Sequence, residues 1–312
     1  MTFNDIYPRW IAWKKRQVKE STLAAYKLAW IHRIRPHWGN VVIEDVRSRH
    51  LQDYVEKLLE EGKLSIKSIQ DNVTLIKSIL SWAWTYYELP QFSIKVVYPT
   101  ESFDTSENKV KAFSNKDQDK LIQHIVENPS YANMGILLTL MTGMRIGEVC
   151  ALKFSDIDFE NHCIDISKTM SRLYVIDENT GEKFTKVVVG TPKSKSSRRQ
   201  IPIYGFIEKW LKNASKVTKS EYYVVTGLSN PCEPRTYRNH YKKLINELGL
   251  ENIKFHGLRH SFATRLITSN VDFKTVSEIL GHSDIQMTLN IYSHPDAQQK
   301  RSGIQKAFKS IG

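Results

Sequence analysis

A chain of 312 residues is long for one ordinary compact domain and suits two, each with its own core. Its 45 Lys and Arg against 33 Asp and Glu leave a net charge of +12, which suits a polyanionic partner but does not choose between DNA, RNA and a membrane surface. Three cysteines with no CxxC spacing speak against a disulfide framework or a cysteine zinc site and fit a reducing cytosol. No apolar run approaches the roughly 18 residues of a membrane span, so a cytoplasmic, unprocessed protein without membrane association is expected.

From Thr2 to Leu89 apolar residues recur at helical spacing. The pattern predicts about four helices: Ile6 to Lys15, Ser21 to Ile34 with Ser21 as its cap and Pro36 and Gly39 as its stop, one through Leu51 to Leu59, and one through Ile66 to Leu80. Between Lys95 and Ala112 the period dissolves into a polar, turn-forming stretch. The expected division is a helical domain over 1–98, a linker over 99–111 and a second domain over 112–312.

The second domain opens with helical patterns at Asp117 to Glu127 and Met134 to Met141. Short strands are then expected at Cys163 to Ile166 and Lys186 to Val189, separated by the turn Glu178 to Gly181, with Gln200 to Ile203 as a third. Helical spacing returns at Pro234 to Leu248, His256 to Ile267 and Lys274 to Leu280, closed by Gly281. In the tail Ile304, Ala307, Phe308 and Ile311 repeat at a spacing that a short helix buries on its own domain or on a neighbour. The fold class is mainly α with a small antiparallel sheet.

Five places carry potential chemistry. Arg145 stands near the N-terminus of a short helix, where backbone N–H groups and a permanently charged, forked guanidinium together favour a phosphate. Glu148, three residues on, is placed to hold that guanidinium or to form an ordinary intrahelical pair. In His256-Gly-Leu-Arg-His260 the spacing of three sets His256 and Arg259 on one face. Thr191 to Arg199 offers Lys193 and Lys195 on a turn, His282 follows a helix stop, and Tyr292 taken alone reads as a packing residue. Read as a metal site, His256, His260, His282 and His294 lack an HExxH or comparable spacing, so no metal and no other cofactor is expected.

Three blocks, Thr-Gly-Met-Arg-Ile-Gly-Glu-Val-Cys-Ala-Leu-Lys at 142–153, His-Gly-Leu-Arg-His-Ser-Phe-Ala-Thr at 256–264 and Leu-Gly-His-Ser at 280–283, followed by Tyr292, resemble the tyrosine recombinase and phage integrase family in order and in detail. The likeness is close from about residue 112 to 295, and the preceding helices resemble the family's core-type DNA-binding domain in size and position.

The resemblance implies Arg145 and Arg259 as a phosphate clamp, Lys193 (with Lys195 as the neighbouring alternative) as the hairpin lysine, His256 and His282 as the histidines, and Tyr292 as nucleophile. It implies cleavage and rejoining of DNA through a 3′-phosphotyrosine, without ATP or metal, by a homo-tetramer on double-stranded core sites. It leaves room for an accessory DNA-bending or directionality protein. The first helix begins almost at Met1, which speaks against a further domain for arm-type sites. The long region between Ile166 and Thr191 favours the integrase of a mobile element over a Xer-type chromosome-dimer resolvase. A non-catalytic DNA-binding regulator of the same fold and a type IB topoisomerase are the rival readings.

Overall fold

A computed structural model describes residues 1–99, 111–176, 183–192, 197–281 and 301. The chain divides into two compact units: Met1–Asp104 together with Leu173–Lys186, and Thr105–Arg172 together with Val187–Gly312.

Among the described residues the first unit holds five α-helices: α1 (Phe3–Lys15), α2 (Glu20–Ala29), α3 (Arg35–Trp38), α4 (Ser48–Glu60) and α5 (Ile66–Tyr86). Thr2 caps α1 by accepting the Asp5 N–H, and Ser65 caps α5 by accepting from Ser68. The expected cap Ser21 lies inside α2, whose N-cap is Lys19 with no side-chain bond. Nor does Pro36 stop the chain. A π-helical turn, Trp30–Ile34, joins α2 to α3, with the Arg35 N–H donating to the Trp30 carbonyl. That turn sets Pro36 in the first positions of α3, where its missing N–H is not needed. Phe3, Ile6, Trp10, Ile34, Leu51, Ile69, Ile76 and Leu80 form the core. The start of the stretch expected to be without period is tied to the helices: Ser48 accepts from the Lys95 N–H and Gln52 from the Val97 N–H, and just before it Lys77 donates to the Ile94 carbonyl.

The second unit is built around α7 (Tyr131–Thr142), which is apolar on every side and buried through Met134, Ile136, Leu137, Leu138 and Leu140. Around it pack α6 (Asn115–Glu127), α8 (Ile146–Ala151), α9 (Gly205–Val217), α10 (Pro234–Glu247) and α11 (His256–Thr268). The last described helix is α12 (Phe273–Leu280), which packs on α11 through Val276 and Leu280.

The strands differ from expectation. Cys163–Ile166 is β2, the centre of a three-stranded antiparallel sheet with β1 (Ile157–Asp158) and β5 (Arg199–Pro202), in which Ile164 faces Ile201 and Ile166 faces Arg199. The expected strand at Lys186 to Val189 lies in β4 (Lys183–Gly190), which pairs with β3 (Thr169–Ile176) as a separate two-stranded sheet. The residues between β3 and β4, including the turn expected at Glu178 to Gly181, lie outside the described residues, as does the tail through Ile304, Ala307, Phe308 and Ile311. No helix among the described residues is long and apolar enough to cross a membrane.

Candidate active site

Arg145 is the N-cap residue of α8, delivered there by a left-handed turn at Gly143 (φ 67°) that ends α7. A β-carbon at Gly143 would sit 2.6 Å from both Leu280 and Phe262, so the turn needs glycine for its backbone and for its surroundings. Glu148, one turn into α8, is 2 % exposed. Its Oε2 accepts the Arg145 backbone N–H at 2.9 Å and its Oε1 accepts Arg145 Nη1 at 2.8 Å, so one carboxylate caps the helix and aims the guanidinium. About a third of the Arg145 side chain, 34 %, is left exposed.

Arg259 lies in the first turn of α11 and is buried, 2 % exposed. It donates from Nη1 to the Gly143 carbonyl at 2.7 Å and from Nη2 to the Leu280 carbonyl at 2.6 Å. Arg145 Nη2 donates to the next carbonyl, Gly281, at 3.2 Å. Arg199, on β5, donates from Nε to the preceding one, Ile279, at 2.5 Å. Three successive carbonyls at the C-terminus of α12 therefore each receive a guanidinium from a different element. The negative end of a helix dipole favours such a collar of cations. Gly281 closes α12 in the left-handed conformation (φ 65°), as the sequence led us to expect.

His256 opens α11. Burial, then the charges of Arg259 and Arg145, hold its pKa below the ordinary imidazole value, against a weaker opposing pull from Glu148. The ring is therefore neutral near pH 7 and able to accept a proton. Its edge-on neighbour is His260, at 4.7 Å between ring centroids. His256 opens onto a cavity of about 520 Å³ lined also by Arg238, Lys242, Lys254, Ile146 and Phe255. Three cations around one imidazole suit an anionic chain.

The structure thus brings Arg145, His256 and Arg259 to one place beside α12. Lys193, Lys195, His282 and Tyr292 lie outside the described residues. Among the described residues no set of three or more His, Cys, Asp or Glu gathers as metal ligands.

One partner was missed in the sequence. In the sequence Arg199 only closes the basic stretch Thr191 to Arg199, yet its side chain is 6 % exposed and paired with Glu148 at 3.0 Å. The signal was alternation: Arg199 shares a strand face with Ile201, which is 1 % exposed.

Residues 111–299 match the phage integrase family and residues 2–59 match the phage integrase N-terminal SAM-like domain. A tyrosine recombinase XerC-like protein of Caldanaerobacter subterraneus subsp. tengcongensis is 31 % identical over 281 residues, covering 84 % of this chain and 71 % of that protein. The transposase from transposon Tn916 of Enterococcus faecalis is 29 % identical over 197 residues, covering 57 % of this chain and 46 % of the transposase, so the match spans less than half of that relative. Among solved structures, the integrase of transposon Tn1549 in complex with transposon right end DNA superposes with a TM-score of 0.74 at 21 % identity, covering 98 % of this chain and 99 % of that one. The family match over more than half of the chain, reinforced by a two-domain fold of the same kind, establishes that this chain belongs to the phage integrase family and is a tyrosine recombinase, a site-specific DNA recombinase.

Proposed function

We propose that the protein cuts and rejoins DNA through a covalent bond between Tyr292 and the scissile phosphate, in the integration and excision of a mobile element. The observation that carries this reading is the meeting of Arg145, Arg259 and His256, from two separate sequence blocks, at the end of the helix that leads toward His282 and Tyr292.

In this reading the Tyr292 hydroxyl attacks phosphorus, its proton passes to His256, and the bond to the 5′ oxygen breaks. Lys193 protonates that oxygen as it leaves. Arg145 and Arg259 stabilise the extra negative charge of the five-coordinate phosphorus, and His282 donates to it. The products are a 3′-phosphotyrosine and a free 5′ hydroxyl. The phosphodiester energy stays in the phosphotyrosine, so a hydroxyl from another strand reverses the step without ATP.

Exchange between two duplexes uses four such sites, hence a homo-tetramer on double-stranded core sites, with an accessory DNA-bending or directionality protein as a further partner. The mobile-element role draws support from the transposons named for two of the relatives. The cytoplasm is the compartment that fits a DNA substrate and three free cysteines.

The test uses nicked duplexes tiled across the DNA flanking the gene, incubated with protein in EDTA. A covalent protein–DNA band that vanishes in Tyr292→Phe is the expected result. Binding to a verified core site with no covalent species in the wild type overturns the proposal in favour of a non-catalytic DNA-binding regulator. Cleavage without joining of two separate sites points instead to a topoisomerase.

A further inference from the structure

Glu148 is gripped from two sides. Arg145 holds it from the start of α8, and Arg199 reaches it from β5 with Nη2 on Oε2 at 3.0 Å and Nη1 on Oε1 at 3.3 Å. Arg199 also donates to the carbonyls of Ile279, at the end of α12, and of Ser197, at 3.2 Å, on its own strand's approach. One guanidinium thereby ties together the carboxylate that aims Arg145, the helix end that Arg145 and Arg259 share, and the chain at Ser197 just before β5.

We propose that Arg199 is a positioning residue for strand cleavage: it fixes the Glu148 carboxylate and the end of α12 so that Arg145 meets the scissile phosphate in one orientation. The proposal rests on the recombinase reading above. A role in stability alone does not require this arrangement, because a well-packed apolar pair replaces a buried ion pair at little or no cost in stability. The charged arrangement has a different product, a guanidinium held from behind with about a third of its side chain, 34 %, left exposed. A lysine in place of Arg199 keeps the charge but cannot span carboxylate and carbonyl at once, since it lacks the planar fork.

The same geometry ties the reaction to pH. Among the described residues the charged or titratable groups that act on Glu148 are Arg145 on α8, Arg199 on β5 and His256 on α11. Burial pushes the Glu148 carboxyl up, and the pull of Arg199, then of Arg145, overcomes this and holds it below the usual carboxylate value. Without Arg199 the burial remains and the larger pull is gone, so the carboxyl takes up a proton at higher pH and releases Arg145.

The experiment compares wild type, Arg199→Met and Arg199→Lys on the nicked duplex that the wild type cleaves. Single-turnover formation of the covalent species is followed from pH 5 to pH 9 or about that range, alongside binding to the intact duplex and thermal unfolding. Arg199→Met is expected to bind DNA as the wild type does, to cleave about 100-fold more slowly, the scale of a misplaced reacting group, and to lose rate on the acid side at a higher pH. Arg199→Lys is expected to fall between the two. A folded Arg199→Met that cleaves at the wild-type rate with an unshifted pH profile overturns the proposal. So does a slow variant whose rate recovers fully at saturating DNA. Where Arg199→Met does not fold, Arg199→Lys decides by the same criteria. A wild type that binds a verified core site without forming a covalent species fails the recombinase reading itself, and the proposal falls with it.

Discussion

In the N-terminal unit Trp10, Trp38 and Trp84 bury their indole N–H groups, and Tyr7 its hydroxyl, with no hydrogen-bond partner among the described residues. In the catalytic unit the buried Glu148, Arg199, Arg259 and Tyr237 all meet partners at short distance. The first unit is held by aromatic area, as in the stacking of Tyr7 on Trp30 at 4.1 Å, and an indole carries enough apolar surface to offset a lone donor. In the second, Glu148, Arg199 and Arg259 join Arg145 in a network beside the site, while Tyr237 is satisfied apart from it. Polar burial without partners thus marks packing, and polar burial with several partners marks the place where orientation matters.

The largest effect that bears on this contrast is expected from Glu148→Ala, which leaves Arg145 and Arg199 without their shared carboxylate and costs about 3–5 kcal/mol in chemical denaturation. An equal loss in Trp10→Ala, about 3–5 kcal/mol, arises from cavity formation instead, and only the Glu148 variant should also change the pH dependence of stability. The sign follows from the depressed pKa of Glu148: its contribution is present above the ordinary carboxylate value of 4.5 and is lost as pH falls through the lower folded value. Melting curves across the acid range decide this, and identical acid sensitivity in wild type and Glu148→Ala contradicts it.

Arg145→Ala tests the chemistry with less structural cost, because part of its side chain faces solvent. Covalent complex formation should slow by about 10²–10³-fold, the scale of one removed charge-stabilising donor, while DNA binding persists. In the wild type the depressed pKa of His256 predicts that cleavage holds its rate down to the ordinary imidazole value of 6.5 and declines only below it. A decline that begins above that value argues against His256 as the proton acceptor.

The smallest effects sharpen the contrast most directly, because one substitution should act with opposite sign in the two units. Tyr237→Phe removes a hydroxyl that donates to the Ala132 carbonyl at 2.7 Å and should cost about 1 kcal/mol. Tyr7→Phe removes a buried hydroxyl with no partner among the described residues and should stabilise the protein by up to about 1 kcal/mol. Paired thermal melts settle the signs.

Arg145, Glu148, His256 and Arg259 were legible in the sequence because each sits at a helix start, where spacing of three and flanking glycines fix the geometry locally. Gly257 illustrates why such blocks are rigid: a β-carbon there would lie 2.9 Å from the Lys111 carbonyl, leaving no room for any other residue. Arg199 was not legible as a partner, since its role depends on β5 being set beside β2 and α12, a long-range pairing that a run of basic residues does not announce. The strand β3 escaped for a related reason. Its apolar residues Met170, Leu173 and Val175 are broken by Ser171 and Arg172 out of strict alternation, and only the pairing with β4 makes them a strand. The same holds for α9, whose start at Gly205 carries no side-chain cap. The helix from Ser21 was read too simply, because a π turn is invisible to a period of 3.6.

The collar of guanidinium groups on the last carbonyls of α12 bears finally on entropy. An arginine free in solvent gives up roughly 2 kcal/mol of rotamer freedom when it is fixed on a ligand. Here Arg145, Arg199 and Arg259 are already confined by Ile279, Leu280 and Gly281 in the protein without DNA. Their ordering is completed when the chain folds, so in the proposed reaction a phosphate that arrives later meets Arg145 and Arg259 already still.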